Sequence, residues 1–346
     1  MNMDFTRLEI GSEFWDVPTS ERVSLLWPLD TQWFISGTSA LEYIICDLQK
    51  CDRVERVGIP AYCCSCMIQP FVDAGLTVVQ YPVYVDSDSG LLTCDYEVTS
   101  DCDATLVMSY FGYDQLETIG NPGGIIIRDL THSLFCRDYD DAQYYFGSLR
   151  KWAGLWTGGY AWKKDSWSTL QQIVPADIIY LQRRADAMAM KVEYLMGTTD
   201  KKEYLHLFEE SEEFLDQCGI LGSCERDIDC ARRIDAGYIR TRRRENAQVL
   251  LDALKNIALF PEIRGNDCPM FVPIILPSKE VRNRLRGYLT AHEIYCPIHW
   301  PISSLHVLGA KERELYDCAL SIVCDQRYNV EDMRRIVDTI RMFGEI

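Results

Sequence analysis

The sequence predicts an α/β protein: a large domain with a mainly parallel sheet covered by helices on both faces, then a smaller C-terminal α+β domain. Three observations predict it. Between Phe34 and Asp129, apolar β-prone runs alternate with segments of helical period, and β-α-β order builds parallel sheets with helices on both faces. Residues 165 to 260 are almost entirely helical by period, with no proline between Pro175 and Pro261. From about Asp267 strand and helix patterns alternate again. A chain of 346 residues can bury a large core and divide into two unequal domains.

Taken in order, residues 1 to 30 contain WDVPTS and LLWPLD, polar and proline-broken, which predicts an arm rather than a domain. In FISGTSALEYIICDL, Ser36 or Thr38 can cap a helix whose apolar face is Leu41, Ile44, Ile45 and Leu48. Gly37, Thr38 and Ser39 at its start expose backbone N–H groups that, with the helix dipole, suit a phosphate. RVGIPAYCCSCMIQPFVDAGLTVVQYPV reads as strand, helix and strand, and VDSDSGLLTCD as a turn-rich connector. ATLVMSYFGY is a buried strand ending in Ser109 and Tyr110, and NPGG marks the turn before IIIRD. RTRRRENAQVLLDAL reads as a helix with a solvated arginine face. CPMFVPIIL is then a strand, KEVRNRLRGYLTAHE a helix and IYCPIHWP a strand ending in a proline-flanked aromatic. CALSIVCDQRYNVEDMRRIVDTIRMF gives a strand, a turn and a closing helix.

Composition narrows the function. Apolar residues at 47% and charged residues at 25% describe an ordinary globular protein. A net charge of −17 argues against nucleic acid and anionic membranes as partners, though local positive groups can still hold a phosphate-bearing substrate. Fifteen cysteines lie scattered through apolar segments, and the N-terminus carries no basic, apolar signal, which predicts a reduced, cytoplasmic chain. Cys63, Cys64 and Cys66 form the tightest cluster, but no second C-x-x-C or histidine pair accompanies them, so no metal site is expected. No apolar run approaches the roughly 20 residues of a membrane helix.

The chemistry concentrates between Ile125 and Trp162. Two apolar runs deliver polar groups at their C-terminal ends: Asp129 and His132 from IIIRDLTHSLF, Ser148 and Lys151 from YYFGSLRKW. Open α/β sheets place ligands outside those ends. Singly, Asp129 also fits a turn cap and Lys151 a solvated surface lysine. Together they fit pyridoxal phosphate (PLP), whose aldehyde condenses with a lysine and whose ring acts as an electron sink. Asp129 would keep the pyridine nitrogen protonated, because a nearby opposite charge favours the charged form. His132 would meet the ring oxygen, and the Ser148 hydroxyl the phosphate.

DLTHS, FGSLRKW and the following glycine pair resemble the DegT-like sugar aminotransferases, within the fold type I PLP enzymes. The resemblance runs from about Phe34 to Ile346. It implies a three-layer α/β/α large domain over residues 31–240, after an arm at 1–30, with a linking helix and small domain at 241–346. In that family an aspartate pairs with the pyridine nitrogen, a polar residue three positions later contacts the ring oxygen, and a downstream lysine carries the cofactor. Asp129, His132 and Lys151 occupy these positions, although glutamine is the commoner second residue. The GTSAL-like turn at Gly37, Thr38 and Ser39 matches the family's phosphate contact. Relatives usually stack an aromatic on the ring four residues after the proline of I-P-A-Y; here that position is Cys64, so Tyr62 or another aromatic stacks instead, or the thiol packs there. Tyr62, Tyr110, His299 and Trp300 are candidate substrate contacts.

The resemblance further implies transfer of an amino group from an amino acid donor to a keto acceptor, a nucleotide-linked sugar in relatives. Lys151 would act as the general acid–base. Homodimers with shared active sites are typical of the fold. Some relatives dehydrate sugars with histidine in place of the lysine; retention of Lys151 favours transamination. A PLP-binding regulatory or sensing protein without efficient turnover is the alternative from another class.

Overall fold

The computed structural model describes residues 9–51, 53–136, 139–168 and 171–345. Their elements run β1 (Ile10–Gly11), β2 (Gln32–Phe34), α1 (Gly37–Cys51), β3 (Arg56–Pro60), α2 (Ser65–Asp73), β4 (Thr77–Tyr81), β5 (Val83–Val85), β6 (Leu92–Asp95), β7 (Ala104–Met108), β8 (Glu117–Ile119), β9 (Ile125–Asp129), β10 (Tyr144–Ser148) and β11 (Gly159–Lys163). There follow α3 (Ile178–Leu195), α4 (Tyr204–Leu215), α5 (Glu225–Arg232), α6 (Ala236–Leu254), β12 (Phe271–Ile275), α7 (Lys279–Ala291), β13 (Ile294–Tyr295), α8 (Ala310–Cys318), β14 (Ala319–Val323) and α9 (Val330–Phe343).

Seven strands form the main sheet in the order β2-β11-β10-β9-β7-β3-β4. Pairing is parallel from β10 through β9, β7 and β3 to β4, while β2 and β11 close one edge antiparallel. The buried runs Ala104–Met108 and Tyr144–Ser148 suit strands covered on both faces. On one face α1 presents Leu41, Ile44, Ile45 and Leu48, all buried as its period predicts. Ser36 starts that helix by accepting from the Ser39 N–H at 3.1 Å. A second hydrophobic cluster forms where α6, α7 and α9 meet the antiparallel pair β12–β14. Helix α6 joins the two regions: Ile239 packs beside Trp152 and Tyr160, whereas Leu250, Leu251 and Leu254 pack with β12 and β14.

Several expectations need correction. VDSDSGLLTCD is more than a connector, because Leu92–Asp95 pairs with both β5 and β8 and buries Leu92 and Cys94. In IYCPIHWP only Ile294 and Tyr295 are strand; they pair with Ile10 and Gly11, which ties the N-terminal arm to the end of the chain. Residues 1–8 of that arm lie outside the described residues. The arginine face of α6 is not simply solvated. Arg243 is buried, lies over the Trp152 ring at 4.4 Å, and donates to Gln326 Oε1 (2.7 Å) and the Met270 carbonyl (2.8 Å). Arg240 and Arg244 donate to the carbonyls of Asn266 and Arg264, each at 2.8 Å. Five donors in a planar fork let a guanidinium satisfy loop carbonyls that a helix face would otherwise leave unpaired. Among the described residues, no helix is long and apolar enough to cross a membrane.

Burial separates neighbouring arginines energetically. Arg243→Ala should lower unfolding stability in urea by about 2–4 kcal/mol, the cost of breaking a buried charged network. Arg242, whose contact with Glu245 is 3.4 Å at the surface, should cost at most about 1 kcal/mol on the same substitution. Equal effects would restore the solvated-face reading.

Candidate active site

The site is built on two adjacent turns. Strand β9 ends at Asp129, whose Oδ1 accepts from the Thr131 N–H at 2.7 Å. Its parallel neighbour β10 sets Phe146 opposite Asp129 and runs on to Ser148. There Leu149–Lys151 forms one 3₁₀ turn that leaves Lys151 exposed. The indole N–H of buried Trp152 donates to the Thr131 carbonyl at 2.6 Å, locking the turn after β10 to the turn after β9.

Helix α1 begins against this pair. A methyl group on Gly37 would come within 3.3 Å of the Ser148 Cβ and 3.5 Å of the Gly147 carbonyl, so the helix start and Ser148 share one wall. The N–H groups of Gly37 and Thr38 fall in the first turn, where no intrahelical acceptor exists. Ser39 differs from the expectation: its hydroxyl donates to the Gly219 carbonyl at 2.5 Å and its N–H to Ser36. Both donors are spent within the chain, which leaves Gly37, Thr38 and Ser148 as the candidates for holding an anion.

The opposite wall comes from distant segments. His132 is buried and its Nδ1 accepts from the Phe111 N–H at 3.3 Å. Trp300 stacks on the His132 ring, 5.5 Å between centroids and 19° from parallel. His299 lies 5.8 Å from His132, edge to face, with Nδ1 2.8 Å from the Ser321 hydroxyl. Tyr62 and Tyr110 are fully buried, their rings stacked at 5.6 Å, with the Tyr110 hydroxyl on the Tyr62 carbonyl. As placed they are core and offer no surface to a substrate, which corrects that expectation. Phe111 and Trp300 as partners of His132 carry no local sequence signal.

Charge gathers around Lys151. Burial first, then the Lys151 ammonium, pushes the His132 imidazole down to about 3; burial, His132 and Lys151 hold His299 well below the ordinary range. Both rings are therefore neutral at physiological pH. A hydrogen bond from Cys66, against the cost of burial and with help from Lys151, brings the half-buried Cys64 thiol down to about 6. Against the desolvation that opposes it, Glu212, whose side chain is 45% exposed, is pulled down to about 2 by Arg150, with Lys151 and Arg184 contributing. Arg150 grips both Glu212 oxygens at 2.5 and 2.7 Å, a pair that sequence reading missed.

Asp129 is the exception. Burial raises its carboxyl to about 6, and only Thr131 opposes this. Among the described residues no cation pairs with it, and no acceptor engages the Lys151 amine. The arrangement suits a ligand that brings a positive group to Asp129, an electrophile to Lys151 and an anion to Gly37, Thr38 and Ser148.

Three solved structures share this architecture. An aminotransferase of the DegT/DnrJ/EryC1/StrS group from Brucella abortus is 17% identical, covering 91% of this chain and 86% of that one, with a TM-score of 0.58. PseC of Helicobacter pylori, an aminotransferase involved in pseudoaminic acid biosynthesis, is 13% identical over 96% and 100%, with a TM-score of 0.62. Spr1654 of Streptococcus pneumoniae, described as a sugar aminotransferase and solved in its PLP form, is 14% identical over 95% and 93%, with a TM-score of 0.60. No protein-family model matches the chain, and neither does any curated protein. At these identities the likeness shows a shared fold.

The unpaired carboxylate has a measurable cost. A folded-state value near 6 against about 3.9 unfolded means that the stability Asp129 contributes is present below pH 4 and lost as pH rises to 6. In the ligand-free chain, Asp129→Asn should therefore stabilise relative to the parent by up to about 3 kcal/mol at pH 7.5, and by much less at pH 4.5. Urea unfolding at the two pH values checks this; a pH-independent difference would contradict it.

Proposed function

We propose that the chain is a PLP-dependent aminotransferase, moving an amino group from an amino acid donor to a keto acceptor of the sugar class. One observation carries this: a buried carboxylate without a cation at the end of β9, beside an unengaged lysine at the end of β10. The donor set fits the cofactor at all three of its handles. When bound, pyridoxal phosphate supplies an electron sink for the donor's α-carbon.

Asp129 holds a proton at the pyridine nitrogen, and that positive charge offsets the carboxylate's desolvation. His132 is neutral, and because its Nδ1 accepts from Phe111, its Nε2 carries the hydrogen and donates to the ring oxygen. Gly37 and Thr38 N–H groups and the Ser148 hydroxyl bind the phosphate, with the positive end of α1 behind them. Lys151 Nζ would hold the cofactor and, once displaced by the amino donor, would take the proton from the donor's α-carbon onto its amine as general base and give it up again as general acid. Trp300 and His299 border the side where substrate enters, and the division near 240 lets the C-terminal segment close over it. A second copy of the chain completes the site, as in fold type I dimers.

A second reading, a PLP-binding sensor without efficient turnover, draws on Cys64 standing where an aromatic is expected. Amine transfer from glutamate to a panel of nucleotide-linked keto-sugars separates the two. The aminotransferase should turn over, and Lys151→Ala should lower the rate by at least the roughly 10²–10⁴-fold that positioned proton transfer supplies, with the fold intact by circular dichroism. Near-parental turnover by the alanine variant would overturn the assignment.

A further inference from the structure

Trp300 also lines a cavity of about 560 Å³ of which His132 is not a lining residue. One wall is a face of α7, where Lys279, Arg282 and Arg286 follow one another at helical spacing. The other wall is apolar, made by Pro297, Ile298, Pro301 and Ile302 with Trp300. Asp317 lines it too and pairs with Lys279 at 2.9 Å, so three cations face one carboxylate. That local excess stands in a chain whose net charge is −17.

Arg282 makes this a built feature rather than a patch of surface charge. It is buried, with Nε on Asn283 (2.8 Å) and Nη1 on the carbonyls of Tyr316 (3.3 Å) and Ala319 (3.2 Å). These bonds fix the guanidinium plane, and none of the described residues takes a hydrogen from Nη2. Arg286 is anchored only through Nε, to the Cys296 carbonyl at 3.3 Å. Among the described residues Arg282 keeps Nη2 unspent and Arg286 keeps both Nη groups, and both side chains line one cavity, where such donors match phosphate oxygens. The apolar wall suits a carbon-rich or planar group on the same ligand.

We propose that this cavity binds an organic phosphate, through Arg282, Arg286 and Lys279, outside the Asp129–Lys151 site. Trp300 is shared between the two, its ring stacked on His132 and its side chain among those that line the cavity. No part of this binding depends on the activity proposed above.

The test is calorimetric titration of the full chain, saturated with PLP so that the phosphate groups at α1 are filled. The probes are inorganic pyrophosphate and uridine 5′-diphosphate. Saturable binding of both is expected, tighter for the nucleotide because of the apolar wall. The double variant Lys279→Glu/Arg286→Glu, both exposed positions, should weaken each by about tenfold or more, with cofactor absorbance unchanged. No heat at millimolar probe, or equal binding by the double variant, would overturn the proposal. The phosphate's source is read separately: competition with a uridine-diphosphate-linked keto-sugar would mean the acceptor's own diphosphate, and an unchanged KM a distinct effector. If the chain takes up no PLP, the same titration is read on the chain alone, so the two readings fail independently.

Discussion

The indole of Trp152 is the contact on which the site's geometry rests. Its N–H closes on the Thr131 carbonyl, tying together the turns that carry Asp129 and Lys151. Its carbonyl accepts from Gln326, and its ring lies under Arg243 of α6 and against the edge of Phe135. One buried side chain thus connects the main sheet to the linking helix and to the turn before α9. Register adds a second constraint: Leu130 N–H bonds the Phe146 carbonyl at 2.7 Å, and a one-residue slip of β10 would reverse which face each side chain meets.

Electrostatics around that frame divide the labour. Glu212 neutralises Arg150 and partly Arg184, so the arginine beside the reactive lysine is committed to structure. Among the described residues no acceptor engages the Lys151 amine, and burial first, with Lys151 adding to it, keeps both His132 and His299 neutral. Neutral histidines can donate or accept a single hydrogen without competing for the charge that Asp129 lacks. A buried carboxylate with one hydrogen bond and no cation is unstable in isolation. It is useful where a ligand supplies the cation.

Much of this was legible in the sequence because it is local. Asp129 and Ser148 end two consecutive strands, His132 and Lys151 lie in the turns just after them, and the spacing follows from how far a turn carries the chain past a strand end. The parallel sheet was legible from β-α-β order, and the α1 stripe from its period. What stayed hidden depended on distance in the chain. Trp300 on His132, Phe111 beneath it and Glu212 on Arg150 each join segments that no periodicity relates. Arg243 shows the limit of pattern reading: period places arginines on one face of α6 but cannot say whether water or loop carbonyls meet them. Ser39 shows another, since a hydroxyl at a helix start serves phosphate or fold equally well until its neighbours are known.

The central claim is that Lys151 carries the cofactor. Visible absorption of the purified protein, before and after borohydride, with mass spectrometry of the peptide bearing Lys151, addresses it directly. The account predicts a visible band, present as purified or on adding PLP, that borohydride removes while fixing the reduced cofactor's mass on Lys151. No band after adding PLP, or attachment at another lysine, would contradict it.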